Sequence, residues 1–162
     1  GCLLLNISPM ADGTIPQNQQ DVLLGIGDWL RINGEAIYET RPWLAFGEGP
    51  TRMAKAGSFS GDLTYTPQDI RYTRSKNGRA VYAIVMGWDT NPITLQSTKT
   101  ATEDGKIELL GYSKPVRYEV NAKGQVVITP PALQPAGRPC EHAYVYKLTG
   151  FDLALSDVEG LR

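Results

Sequence analysis

Apolar and polar positions follow three different rhythms along this chain. Leu3-Leu4-Leu5-Asn6-Ile7 is a short, nearly continuous apolar run, the pattern of a strand buried on both faces in a parallel sheet. After the Asp12-Gly13 turn signal, the rhythm changes to three- and four-residue spacing. Val22, Leu23, Ile26, Trp29 and Leu30 recur on one face, which predicts a helix over about 15–32. Gln17, Gln20, Asp21, Asp28 and Arg31 fall on the wet side, together with Leu24. Thr14-Ile15-Pro16-Gln17 has the form of a capping box, and Pro16 suits a first turn. Asn33-Gly34 suits a left-handed helix end, and Ala36-Ile37-Tyr38 reads as a further short strand.

From about Gly57 the rhythm is period two. Strands are expected around Asp69–Thr73, Ala80–Met86, Ile93–Gln96, Lys106–Leu110, Val116–Val120, Gln125–Thr129 and Ala143–Leu148. Turn signals separate them at Asn77-Gly78, Asp89 to Pro92, Asp104-Gly105 and Asn121 to Gly124. Short strands at this spacing predict an antiparallel β-sandwich. The expected fold class is therefore α+β: one strand–helix unit of an α/β barrel, too little to close a barrel by itself, followed by a sandwich. The expected division is 1–42 for the barrel part, 43–56 for a connector, 57–150 for the sandwich and 151–162 for a tail. Trp43, Leu44 and Phe46 in the connector are expected to lie in the seam between the two parts.

Composition narrows the function classes. Sixteen Lys and Arg balance seventeen Asp and Glu, with no basic block, so nucleic acid is not an expected partner. No apolar run reaches the roughly 20 residues of a membrane helix, and the opening residues lack a signal-peptide pattern. With one histidine and no CxxC, neither a metal nor another cofactor is expected. Cys2 and Cys140 fall in different expected parts and are read as two buried free thiols.

The stretch from Leu3 to Trp43, LLLNISPMADGTIPQNQQDVLLGIGDWLRINGEAIYETRPW, resembles the end of the catalytic barrel in the α-L-fucosidases of glycoside hydrolase family 29. GEGPT at Gly47–Thr51, YTPQDIRYT at Tyr65–Thr73 and YAIVMGW at Tyr82–Trp88 resemble that family's continuation into a C-terminal β-sandwich. One departure is Glu39, where the family pattern has Gly after Ile-Tyr. The resemblance implies a C-terminal part of a retaining enzyme acting on terminal α-L-fucosides. Such an enzyme uses a carboxylate nucleophile and a second carboxyl group roughly 5–5.5 Å away. Both would lie upstream, so no catalytic residue is assigned to this chain. The resemblance also implies fucosylated glycans and the rest of the same enzyme as partners, possible self-association of the chain alone, and a secreted, periplasmic or lysosomal location. The alternative is a carbohydrate-binding or purely structural sandwich.

Candidate substrate-binding residues are Asn6 and Trp88. Asn6 stands at the end of the expected barrel strand, the end at which barrel active sites are built, although a loop-capping role is the commoner use of such an Asn. Trp88 stands at a strand end, where its ring is open to either sugar stacking or packing. Tyr82, Tyr144 and Tyr146 are expected in the core rather than on a sugar-stacking platform, His142 in a structural role, and Glu48 as a solvated loop residue.

Overall fold

The structure, a computed structural model, describes residues 4–52, 63–102 and 104–156. Cys2, Leu3, the part of the connector and sandwich expectations over 53–62, and the tail beyond 156 lie outside the described residues. In chain order the elements are helix α1 (Gln17–Asn33), a 3-10 turn (Gly34–Ala36), β1 (Thr40–Glu48), β2 (Ile70–Ser75), β3 (Ala80–Val85), β4 (Ile93–Leu95), β5 (Thr98–Lys99), β6 (Lys106–Leu109), β7 (Arg117–Val120), β8 (Val126–Thr129), a second 3-10 turn (Pro135–Gly137), β9 (Tyr144–Thr149) and β10 (Ala154–Leu155).

Every strand pairing is antiparallel. One sheet has the order β1-β2-β3-β9-β6, a second β4-β8-β7, and β10 pairs with β5. Alternation along the central strands explains why these sheets stack. Ala83 and Val85 of β3, with Tyr144, Tyr146 and Leu148 of β9, point to one side and meet Ile93, Leu95, Val126 and Ile128 of the smaller sheet. The alternate residues Ala80, Tyr82, Ile84 and Val145 point to the other side, where Ala36 and the Trp29 ring cover them. The larger sheet thus lies between the sandwich core and the C-terminal end of α1.

The described part of the opening apolar run, Leu4 to Ile7, forms no strand: it pairs with none of the three sheets, and Leu4, Leu5 and Ile7 are exposed. The capping box is not formed either. Thr14 gives its backbone N–H and hydroxyl to Asp12 Oδ1 (3.0 and 2.7 Å), Gln17 turns to Asp21, and Pro16 occupies the N-cap position with no side-chain cap. At the far end Gly34 is right-handed, φ −58°, and carries the chain into the 3-10 turn. A Cβ there would come within 2.8 Å of the exposed Tyr38 ring, which would have to turn aside. Ile37 and Tyr38 close turns onto the Gly34 carbonyl rather than forming a strand.

Among the described residues other than glycine, the one at positive φ is Glu39, φ +53°. Its carbonyl accepts the Lys76 N–H (2.9 Å), and its exposed carboxylate meets Lys76 Nζ (2.6 Å). An exposed ion pair contributes little, whereas an L-residue at positive φ carries a steric cost that glycine avoids. Glu39→Gly is therefore expected to raise the unfolding midpoint by about 2–4 °C in calorimetry. A fall would mean that the Lys76 contact outweighs the backbone strain.

Strand β1 runs through the stretch expected to connect the two parts. Its register against β2 slips between Pro42 and Gly47, where Pro42 lacks a donor and a Cβ on Gly47 would come within 2.5 Å of the Ile70 carbonyl. Trp43 and Ala45 turn inward, and Leu44 and Phe46 are exposed. At the Asn77-Gly78 turn only Gly78 takes positive φ, and the Asn77 carboxamide instead accepts the Arg79 N–H (3.0 Å).

Candidate functional site

Three constructions carry the polar chemistry of the described residues. The first joins α1 to the larger sheet. Trp29 Nε1 donates to the Ala143 carbonyl (2.8 Å), and Thr73 Oγ1 donates to the Ala36 carbonyl (2.7 Å). Lys147 Nζ meets Glu35 at 2.9 Å. Asn33, fully buried, gives its amide to the Trp29 carbonyl (3.2 Å) and approaches the Cys140 sulfur (3.7 Å). Cys140 is a free, half-buried thiol donating to the Ala143 carbonyl, and burial pushes its pKa up, so it is not a poised nucleophile. Beside this joint lies a hollow of about 580 Å³, lined mainly by Val22, Gly25, Ile26, Trp29, His142 and Ala143. His142 is exposed at its rim. The sequence marked Trp29 as apolar helix face; its use as a hydrogen-bonded anchor was not legible.

The second construction corrects the reading of Glu48. This carboxylate is buried and accepts the backbone N–H groups of Gln96 (2.8 Å) and Ser97 (2.6 Å), so it ties the end of β1 to the turn after β4. Next to it the Tyr72 hydroxyl has its pKa pushed well up, first by burial and then by the Glu48 charge. Tyr72 also packs on Trp43 with ring centroids 5.1 Å apart. Asp69, also buried, was not singled out from the sequence. Its Oδ1 accepts Thr51 N–H (2.9 Å), and its Oδ2 accepts Thr51 Oγ1 (2.7 Å), Thr66 N–H (2.8 Å) and Thr66 Oγ1 (2.9 Å). Burial alone would raise its pKa; these bonds outweigh it and hold the pKa at about 2. Asp69 is therefore a permanent anion that clasps two loops, and it cannot serve as a proton donor near neutral pH.

The third construction is the Asn6 loop. Asn6 is exposed, on the rim of an open hollow of about 300 Å³ shared with Asn18, Gln19 and Val22 of α1. Trp88 lies elsewhere, half-buried three residues beyond the end of β3, with its ring edge-on to Tyr144 (4.7 Å) and the Arg138 guanidinium 5.1 Å over it. The structure does not bring Asn6 and Trp88 together in one hollow. Tyr82, Tyr144 and Tyr146 are buried. Among the described residues no group of three His, Cys, Asp or Glu side chains is placed to hold a metal ion.

A further feature is an uncovered apolar face. Val22, Leu23, Leu24 and Ile26 of α1 are exposed, as are Leu4, Leu5, Ile7 and Met10 before it. The helical periodicity expected to be buried is thus covered only near Trp29.

Comparison with known proteins completes the picture. Residues 64–149 match the family model described as the alpha-L-fucosidase C-terminal domain, and residues 1–35 match the model described as alpha-L-fucosidase. The chain is 35% identical over 151 residues to the tissue alpha-L-fucosidase of Bos taurus, a match covering 93% of this chain and 28% of that protein. The tissue alpha-L-fucosidase of Mus musculus is 37% identical over 150 residues, covering 92% of this chain and 29% of the relative. Among solved structures, the Thermotoga maritima alpha-fucosidase in complex with fucose superposes with a TM-score of 0.63 at 27% identity, over 90% of this chain and 30% of that one. The chain thus spans somewhat under a third of the length of these relatives.

Proposed function

The chain belongs to the alpha-L-fucosidase C-terminal domain family, and we propose that it is the C-terminal part of a retaining glycoside hydrolase that releases terminal α-L-fucose. The observation that carries this reading is the order of the two family matches. The alpha-L-fucosidase model falls on α1 and the residues before it, and the C-terminal domain model falls on the sandwich. In this reading α1 and the residues before it complete a catalytic barrel, and the sandwich begins at β1, which is the edge strand of the larger sheet and not a connector, and includes β10. The catalytic carboxylates lie outside the chain. The two buried carboxylates described here support that assignment, because Glu48 and Asp69 are both engaged by backbone donors. The apolar face of α1 and of Leu4 to Met10 would be covered by the remainder of the barrel, and in the isolated chain it would promote self-association.

A carbohydrate-binding role for the sandwich is less well supported, because the Trp88 ring is already occupied by Tyr144 and Arg138. The relatives are named as tissue and plasma enzymes, which supports a lysosomal or secreted setting for the whole protein. No helix among the described residues is long and apolar enough to cross a membrane.

The test is hydrolysis of an aryl α-L-fucoside followed by NMR of the first-formed sugar. The 162-residue chain alone is expected to give no turnover above buffer, and the longer protein containing it is expected to release α-fucose. Turnover by the chain alone would overturn the upstream placement of the carboxylates. An inactive longer protein would overturn the fucosidase reading itself.

A further inference from the structure

Three glutamines near the start of α1 look interchangeable in sequence, yet each amide has a different partner. Gln17 Nε2 donates to Asp21 Oδ1 on the next turn (2.7 Å), and Gln20 Nε2 reaches back to the Ile15 carbonyl (2.7 Å). Gln19 alone reaches across to the Asn6 loop. Its Oε1 accepts the Ser8 backbone N–H at 2.8 Å, and its Nε2 lies 3.4 Å from the Ser8 carbonyl. One primary amide thus satisfies both polar groups of one residue, as a neighbouring strand would, because it carries an acceptor and a donor side by side. Gln19 is half-buried, whereas Gln17, Asn18 and Gln20 are exposed.

The clasp sits two residues beyond Asn6, on a loop that is otherwise closed only on its far side. Met10 N–H donates to the Thr14 carbonyl (2.8 Å), Gly13 N–H to the Met10 carbonyl (2.9 Å), and Asp12 fixes Thr14. These bonds shape residues 10–14 but do not tie Asn6 to the helix. The Gln19 clasp does, and it places Asn6 on the rim of the hollow between this loop and α1.

We propose that Gln19 is a positioning residue for fucoside hydrolysis: by clasping Ser8 it holds the Asn6 loop against α1, so that Asn6 is presented at the substrate-facing end of the barrel. This rests on the fucosidase reading above, in which the rest of the barrel supplies the ladder partners that Leu4 to Ile7 lack here, and on the general placement of barrel active sites at the ends of strands. Gln19 touches no substrate; it acts through Asn6.

The experiment uses the longer protein with an aryl α-L-fucoside. Gln19→Ala is expected to lower kcat/KM about tenfold, with the unfolding midpoint shifted by no more than about 2 °C, since one hydrogen-bonded clasp is lost at a partly exposed site. Gln19→Glu keeps the acceptor for Ser8 N–H but sets a second oxygen against the Ser8 carbonyl, so it is expected to recover only part of the lost activity, falling between Gln19→Ala and the parent. If Gln19 acts through Asn6, adding Gln19→Ala to Asn6→Ala costs little further activity. Unchanged activity in Gln19→Ala, failure of the Glu variant to rescue, or fully additive losses would each overturn the proposal. Hydrogen exchange at the Ser8 amide tests the clasp independently of turnover. Exchange about tenfold faster in Gln19→Ala supports it, and an unchanged rate removes it. A parent protein without fucosidase activity would strike the functional reading, with the exchange result still reporting on the clasp.

Discussion

Asp69→Asn is expected to destabilise the fold by about 2–4 kcal/mol, a large loss for a substitution that changes so little volume. The reason is the crowding of donors on one oxygen. Oδ2 accepts from Thr51 Oγ1, Thr66 N–H and Thr66 Oγ1, while Oδ1 takes the Thr51 N–H. An asparagine can put its oxygen on only one of these sides. Its amino group then faces donors, and buried N–H and O–H groups lose their partner. There is no room to relax. Gly49, at φ +129°, packs so closely that even a Cβ there would come within 2.5 Å of the Asp69 Cα. The same site sets an acid limb in the stability profile. A carboxylate whose pKa is lowered in the folded state, here to about 2 from the ordinary 3.8, stabilises fully above the unfolded value and loses that contribution as pH falls from about 4 through 2. The difference in stability between parent and Asp69→Asn, measured by urea titration at several pH values, should therefore be largest near neutrality and shrink over that window. Asp12 and Glu39, also lowered by their partners, are common to both proteins and cancel in the difference. A gap constant down to pH 2 would mean that Asp69 is not ionised in its clasp.

The period-two segments show what the sequence could and could not reveal. β2, β6 and β8 stood out because each presents one face to the core, so alternation reports burial directly, whereas β3 and β9, buried on both faces, stood out as apolar runs. β1 did not, because its pairing is broken by a bulge and its Pro and Gly read as a connector. β5 and β10 have two residues each, too few for any period. Leu3 to Ile7 carries the composition of a buried strand, but a strand exists only with a ladder partner, and the described residues supply none. The polar core was hidden for a related reason. Glu48 and Asp69 gain their meaning from backbone donors 18 to 49 positions away in sequence, or from Thr66 on a turn whose geometry no composition reveals. Asn6 was singled out through its place at the end of an apolar run, and the run fails as a strand here while the loop around Asn6 is still built, by Gln19 and Asp12.

Trp29→Ala is expected to release α1 from the sandwich while leaving the sheets intact. The ring packs on the outer cluster of Ala36, Ala80, Tyr82, Ile84, Ala143 and Val145, and its N–H satisfies the Ala143 carbonyl. Losing both should cost about 2–4 kcal/mol, less than a fully buried Trp because the residue is half-exposed. Trp29→Phe keeps most of the packing and should cost about 1 kcal/mol for the carbonyl left without its donor. The consequence is local because the N-terminal two-thirds of α1 rests on no core of its own: Val22, Leu23, Leu24 and Ile26 are exposed, and a 17-residue helix alone in water is marginal. Hydrogen exchange should therefore show the α1 amides losing protection in Trp29→Ala, the β3 and β9 amides keeping theirs, and Trp29→Phe falling between. Equal loss across helix and sheet would place Trp29 within the sandwich's own core rather than at a joint. Unchanged α1 protection would mean that Asn33, Glu35 and the Ala36 carbonyl are sufficient to hold it. The expected pattern assigns the sandwich a mechanical role: it fixes the helix against which Gln19 holds the Asn6 loop, so a side chain on the sandwich side of α1 governs the geometry of a loop at its other end.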